Sequence, residues 1–105
     1  MIYYTYALWS SKFDRLYIGF TQDLAQRLDQ HNQGITRSSR FYRPWQIIIA
    51  VKHSSKSFAR QNEVHWKKAY NRELLKSLAH HGLFGLELDG RRKDWRRALT
   101  ESLSY

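Results

Sequence analysis

The sequence predicts an α+β fold in which a strand pair comes first and helices follow. Two runs rich in aromatic and β-branched residues, Ile2 to Trp9 and Leu16 to Phe20, flank a short polar stretch, which is the pattern of an antiparallel hairpin. Apolar residues then space by four at Leu24 and Leu28, a helical period. An uninterrupted apolar run from Trp45 to Val51 marks a third strand, and a second helical stripe lies beyond it.

Within the first strand, Ile2, Tyr4, Tyr6 and Leu8 share one face, and Tyr3, Thr5, Ala7 and Trp9 the other. Ser10 to Asp14 turns the chain. Gly19, near the end of the second strand, predicts a close backbone approach. The first helix begins at Asp23 and stops at Gly34, which supplies a left-handed C-cap. The third strand is bulky enough to be covered on both faces. Ser55 or Ser57 caps a long helix that the spacing of Ala59, Trp66, Tyr70 and Leu74 carries to about Leu78, and His80, His81 and Gly82 end it. The tail from Arg91 to Leu103 is read as a further amphipathic helix, part of a basic C-terminal helical extension over 79–105 beyond a core of about 2–78.

The chain has 105 residues, so it has room for one modest core and is expected to be a single domain over 1–105. Its 42% hydrophobic and 15% aromatic content excludes a disordered basic tail. Cysteine is absent, which excludes disulfides, thiolate zinc sites and cysteine nucleophiles. Neither a membrane span nor a secretory signal is legible, so the expectation is a cytoplasmic protein with no membrane partner. Lys and Arg number 18 against 9 Asp and Glu, a net charge of +9. Such an excess acts chiefly on the phosphates of nucleic acid.

Three constellations could carry chemistry. Glu63 falls four residues after Ala59 and three before Trp66, on the apolar stripe of the long helix. A carboxylate there needs a cation, a metal or good hydrogen bonds, although a surface pair with Lys67 at i+4 would also account for it. Arg27 and His31, also four apart, can present a guanidinium and an imidazole to one ligand, unless Arg27 pairs with Asp23 and His31 merely ends its helix. Tyr3, Tyr4 and Tyr6 lie in the first strand and Tyr17 opens the second, so pairing brings phenols of the two strands together. Aromatic strand residues are also ordinary core. No GxSxG elbow, HExxH helix or GxxxxGK[ST] loop occurs, and the histidines lack metal-ligand spacing.

Taken together, YTY at Tyr4 to Tyr6, YIG at Tyr17 to Gly19, TQDLAQRLDQHNQG from Thr21 and SFARQNE ending at Glu63 resemble the GIY-YIG nuclease superfamily. The chain is similar to its small stand-alone bacterial members, to the amino-terminal nuclease domain of excinuclease C and to homing endonuclease catalytic domains. The resemblance runs from about Ile2 to Leu78. It implies a three-stranded antiparallel sheet flanked by helices, and divalent-metal-dependent endonucleolytic cleavage of DNA, in repair or recombination. Tyr6 matches the tyrosine of the first motif, Tyr17 that of the second, Arg27 the helix arginine, His31 the histidine one turn later in some members, and Glu63 the metal-binding glutamate. Tyr4 and Thr5 replace the glycine and isoleucine of the first motif. Many members place an asparagine near the metal beyond the glutamate, and Asn71 is the candidate for it in this chain.

The implied mechanism has a water attack a DNA phosphate in line. Tyr6 takes its proton, assisted by Tyr17 and by a hydrogen bond from His31, Glu63 holds one Mg²⁺ or Mn²⁺, and Arg27 binds the nonbridging oxygens. The stretch from Gln30 to Asn62 contains Arg37, Arg40, Arg43, Lys52, Lys56 and Arg60 and no acidic residue. Arg37, Arg40, Arg43, Lys56 and Arg60 are therefore the expected DNA contacts. Arg37, Arg40 and Arg43 share a loop with Phe41, Tyr42 and Trp45, where phosphate contact and base stacking could combine. Arg91, Arg92, Lys93, Arg96 and Arg97 would extend the track. No targeting domain is visible, so specificity comes from the domain, a protein partner or self-association. The alternative function is a catalytically weak or inactive structure-specific DNA-binding adaptor on the same fold. A basic membrane-surface protein is a third reading, and it lacks the amphipathic helix it would need.

Overall fold

A computed structural model of the chain describes residues 1–89. The described elements are β1 (Tyr3–Ser10), β2 (Arg15–Thr21), α1 (Leu24–Gln33), β3 (Gln46–His53), α2 (Lys56–Trp66), α3 (Ala69–His80) and β4 (Leu86–Asp89), with a 3-10 turn at Arg40–Tyr42. The strands form one sheet in the order β2-β1-β3-β4. β1 pairs antiparallel with β2 and β3, as the resemblance implies, whereas β4 adds a fourth strand parallel to β3. That strand replaces part of the expected helical extension. Its sequence LELD alternates apolar and acidic residues, a strand period that is too short to stand out without a partner. The expected helix over Arg91 to Leu103, and the basic cluster within it, lie outside the described residues.

Asp14 closes the β1–β2 turn in the left-handed region at φ 53°, a conformation that Asp tolerates better than most residues. Gly34 is the C-cap that the sequence predicts, and Asp23, where the helical period begins, is the N-cap. Asp23 Oδ1 accepts from the Gln26 N–H at 3.0 Å, and Gly34, at φ 81°, returns its N–H to the last turn. Ser55 caps α2, accepting from the Phe58 N–H at 3.2 Å.

The single long helix is corrected to two. α2 ends at Trp66, Lys68 is extended, and α3 starts at Ala69. Neither proline nor glycine marks this break. The reason is the phase of the core: Trp66, Asn71, Leu75, Leu78 and Ala79 are buried, while Tyr70, which the continuous stripe included, is 53% exposed. Asn71 follows Trp66 by five positions, and a straight helix cannot put both on one face. The Asn71 side-chain amide donates to the His65 carbonyl at 2.8 Å, which also accepts the Lys68 N–H at 3.2 Å, so the end of α2 is held across the break.

Each face of the sheet carries its own cluster. Ala7, Trp9, Ile18, Ile49 and Val51 pack with Trp66, Leu75 and Leu78 on one side, and Tyr6, Leu8, Trp45 and Ala50 pack with Tyr17, Leu24 and Leu28 on the other. α2 is tied to β1 by Thr5, whose hydroxyl donates to the Ala59 carbonyl at 2.7 Å.

Candidate active site

The hairpin register pairs Tyr6 with Gly19 and Leu8 with Tyr17. Tyr6 and Tyr17 are therefore diagonal neighbours on one face, and their rings stack at 6.4 Å. The Tyr6 phenol crosses directly over Gly19. A Cβ at Gly19 would lie 2.7 Å from the Tyr6 Oη and 2.9 Å from its Cζ. The close approach predicted for this glycine is the passage of that ring.

α1 brings Arg27 and His31 to the same phenol. Arg27 Nε donates to Tyr6 Oη across a long 3.4 Å, and Tyr6 Oη lies 3.0 Å from His31 Nε2. Arg27 Nη1 also donates to Gln30 Oε1 at 3.2 Å. Asp23 spends its carboxylate on the helix cap, so the pair Asp23–Arg27 does not form. Tyr17 sets its ring edge against His31 at 4.6 Å.

One member of this cluster has no counterpart among the residues expected from sequence. Ser39, fully buried in the basic loop, places its Oγ 2.6 Å from His31 Nδ1 and donates to the Thr36 carbonyl at 3.4 Å. An obligate donor, Arg27, stands at one end of this chain and an obligate acceptor, the Thr36 carbonyl, at the other. They set its direction. The Ser39 hydroxyl donates to Thr36 and accepts from His31 Nδ1–H, which leaves His31 Nε2 to accept the Tyr6 proton. His31 therefore accepts from Tyr6 instead of donating to it. A buried serine two residues after an arginine could have been singled out only by knowing where the loop folds.

Protonation states agree with that direction. Burial pushes the Tyr6 phenol up to about 12, against the lowering effect of Arg27, and the neighbouring Tyr17 and Glu63 add to the rise. His31 is held down at about 4, first by burial and then by the Arg27 charge. Arg27 is held above its ordinary value, chiefly by its bond to Tyr6. At neutral pH the chain is a neutral phenol donating to a neutral imidazole.

Glu63 stands on α2, its side chain 15% exposed, with Lys67 Nζ 3.5 Å from Oε2. The surface pair with Lys67 and the inward placement are thus both real, the pair at a long distance. Lys56, Arg60, Glu63 and Lys67 follow the i, i+4, i+7, i+11 spacing of one helix face, so α2 presents one carboxylate among cations. Among the described residues no group of three or more His, Cys, Asp or Glu could hold a metal. A partly buried single carboxylate fits a hard ion that keeps most of its waters, Mg²⁺ or Mn²⁺, and does not fit zinc. Asn71 bonds to the His65 carbonyl at the helix junction.

The expected DNA contacts divide into two groups. Arg37, Arg40 and Arg43 are exposed in the loop after α1, and Lys56 and Arg60 are exposed on α2. Trp45 is not a stacking surface: it is 4% exposed, with its indole N–H donating to the Ser39 carbonyl at 3.0 Å. Its burial follows from filling the space between the loop and Tyr17, whose ring it meets at 6.0 Å.

No helix among the described residues is long and apolar enough to cross a membrane. The chain resembles the solution structure of the UPF0213 protein BH0048 from Bacillus halodurans, with 25% identity over 99% of this chain and 98% of that one and a TM-score of 0.46. No curated protein matches it. The family model for the GIY-YIG catalytic domain matches residues 2–76, a span that includes both tyrosine motifs, the α1 pair and Glu63. The chain therefore belongs to the GIY-YIG family of nuclease-type catalytic domains.

Proposed function

We propose that the protein is a DNA endonuclease that hydrolyses phosphodiester bonds with the help of Mg²⁺ or Mn²⁺, in DNA repair or recombination. The observation that carries this reading is the buried chain Tyr6–His31–Ser39, with Arg27 on the Tyr6 oxygen and the Glu63 charge felt by the same phenol. Water attacks the phosphorus in line, and the bond to the 3′ oxygen breaks, that oxygen leaving as a hydroxyl with a proton taken from solvent. The water's proton goes to Tyr6 Oη as the Tyr6 proton passes to His31 Nε2. A relay of this kind needs no standing phenolate, which suits a phenol held at about 12. Burial and the Arg27 charge depress His31. A phosphate bound to Arg27 neutralises the second of these, so His31 accepts a proton more readily when substrate is in place.

Arg27 binds the nonbridging oxygens, where a positioned donor of this type is worth about 3–4 kcal/mol in the transition state. Glu63 is the residue that would hold the divalent ion, whose contribution when bound is to offset charge on the departing 3′ oxygen. Tyr17 packs His31 in the orientation that receives the proton. Arg37, Arg40, Arg43, Lys56 and Arg60 hold the flanking phosphates. Replacing the three loop arginines by Ala should weaken DNA binding and reduce its salt slope by about 3.

The test is nicking of supercoiled plasmid in Mg²⁺ or Mn²⁺ by wild type, Glu63→Ala and Arg27→Ala. Loss of nicking in both folded variants, with DNA binding kept by Glu63→Ala, is the expected result. Equal activity in all three overturns the assignment. Salt-dependent binding with no metal-dependent product from wild type would identify the adaptor instead.

A further inference from the structure

A basic aromatic feature lies just past the C-terminal end of α1 and is built from two segments far apart in sequence. The β1–β2 turn carries Phe13, and the 3-10 turn carries Phe41 and Tyr42. Their three rings meet pairwise, Phe13–Phe41 at 5.4 Å, Phe13–Tyr42 at 5.6 Å and Phe41–Tyr42 at 5.2 Å. Unlike the core aromatics, two of the three rings face solvent, Phe41 at 71% and Phe13 at 37% exposed, while Tyr42 is half-buried and anchors them on the core cluster. An open groove of about 640 Å³ runs past Phe13 and Phe41 and is edged by Lys12, Arg40 and Arg43. The Lys12 ammonium lies 5.5 Å from the centre of the Phe13 ring. Arg15 stacks 4.4 Å over Tyr42 and donates to its hydroxyl at 2.6 Å.

Cations predominate around these rings, with Lys12, Arg15, Arg40 and Arg43 beside them. Asp14, in the same turn, meets His80 on α3 at 3.0 Å, and Asp29 on α1 accepts from Gln33 at 2.7 Å, so the nearby carboxylates already have partners. Exposed aromatic rings rimmed by Lys and Arg match an unpaired nucleic-acid strand, which offers both a base face and a phosphate at each step. A blunt duplex hides its base faces and gains only from the cations. A protein partner would not call for cations on every side of the rings.

The platform is also continuous with the proposed active site. Tyr42 meets Trp45 at 6.5 Å, Trp45 meets Tyr17 at 6.0 Å, and Tyr17 meets His31. Gly34, at the C-terminal end of α1, also lines the groove, and the seven steps from Arg27 to Gly34 rise about 10 Å along the helix at about 1.5 Å each. That is about three nucleotides of a stacked strand at about 3.4 Å each.

We propose that the Phe13–Phe41–Tyr42 platform holds the bases of single-stranded DNA about three nucleotides from the scissile phosphate, so that the preferred substrate is a duplex bearing an unpaired overhang or branch. The preference in cleavage rests on the nuclease reading above, whereas the binding does not.

The experiment is fluorescence anisotropy in EDTA with a labelled oligo-dT, a blunt duplex and the same duplex with a dT overhang. Variants are Phe41→Ala, Phe13→Ala and Phe41→Trp, with Phe58→Ala as a control on an exposed aromatic of α2. The two alanine variants of the platform should each weaken oligo-dT and overhang binding about 5- to 100-fold, and blunt-duplex binding by less. Phe41→Trp should bind as wild type does, and Phe58→Ala should change nothing. Unchanged oligo-dT affinity in Phe41→Ala overturns the proposal, as does an equal loss for all three ligands. So does a dimer seen by sedimentation that Phe41→Ala abolishes while DNA binding stays intact. Oligo-dT binding that depends on Phe41 in a protein that cuts no plasmid would leave the platform standing and remove the nuclease reading.

Discussion

The two faces of the sheet are made of different material. Toward α2 and α3 the buried residues are largely aliphatic, with Ile18, Ile49, Val51, Leu75 and Leu78 around Trp66. Toward α1 the burial includes a phenol, an imidazole and a hydroxyl joined in one hydrogen-bonded chain, with a guanidinium at its edge. Aliphatic burial stabilises without directional demands. A buried polar chain contributes little net stability, and loses much when one member is left without its partner. One face thus supplies most of the stability, with Glu63 carried on its helix α2, while the other holds the groups that pass the proton. Both faces share β1, where Tyr6 and Ala7 are neighbours in sequence and point apart.

The largest expected effect breaks the reactive face alone. Tyr6→Phe and His31→Ala should each lower plasmid nicking by about 10²- to 10⁴-fold, and the double variant should be scarcely worse than either. Two residues that pass one proton act as a unit. Multiplicative losses in the double variant would break the relay. On the opposite face Leu75→Ala, at a fully buried position, should cost about 2–5 kcal/mol in urea unfolding. The nicking rate per folded molecule should be unchanged, and a lower rate would mean that the faces are not separable.

A smaller effect sharpens the role of Ser39 as a positioning residue. Ser39→Ala frees His31 Nδ1 and allows either tautomer. Nicking should fall by about tenfold, the scale of one lost buried hydrogen bond of about 1–3 kcal/mol, and Ser39→Thr should restore it. The pH profile of kcat should move with Ser39→Ala, which a purely structural loss would not produce.

The smallest effect is on stability against pH. Burial holds His31 at about 4, below its ordinary 6.5, and also lowers His53. Below pH 6.5 the unfolded chain therefore binds protons that the folded chain refuses. Stability is flat in these groups above pH 6.5 and falls as pH drops toward 4. The midpoint of urea unfolding should decline over that window, and His31→Gln should flatten the decline. An unchanged slope would show that the imidazole is not held neutral.

Local chemistry is where the sequence was most legible. Asp23 and Gly34 bound α1 because a cap side chain and a left-handed glycine act within one turn. Hairpin pairing is enough to bring Tyr6 and Tyr17 together, and one helix period to align Arg27 with His31; that the two pairs meet was implied by the family resemblance alone. The break between α2 and α3 was not legible, since no residue at Lys67 or Lys68 disfavours a helix. Only the need to bury both Trp66 and Leu75 against the same sheet rephases the stripe. β4 was missed because four residues acquire strand character only beside β3.

Residue type and spacing were enough to fix the family motifs, the helix caps, the excess of cations and the absence of any acid in the stretch that leads from Gln30 to Glu63, because each of these is a local property of the chain. Three contacts came only with the folded chain: Ser39 reaches His31, Trp45 is core and not a surface for bases, and Phe13 joins Phe41 across 28 positions of chain. They depend on how the loop after α1 folds back over the hairpin. No local preference specifies that path, which is set by packing between segments remote in sequence.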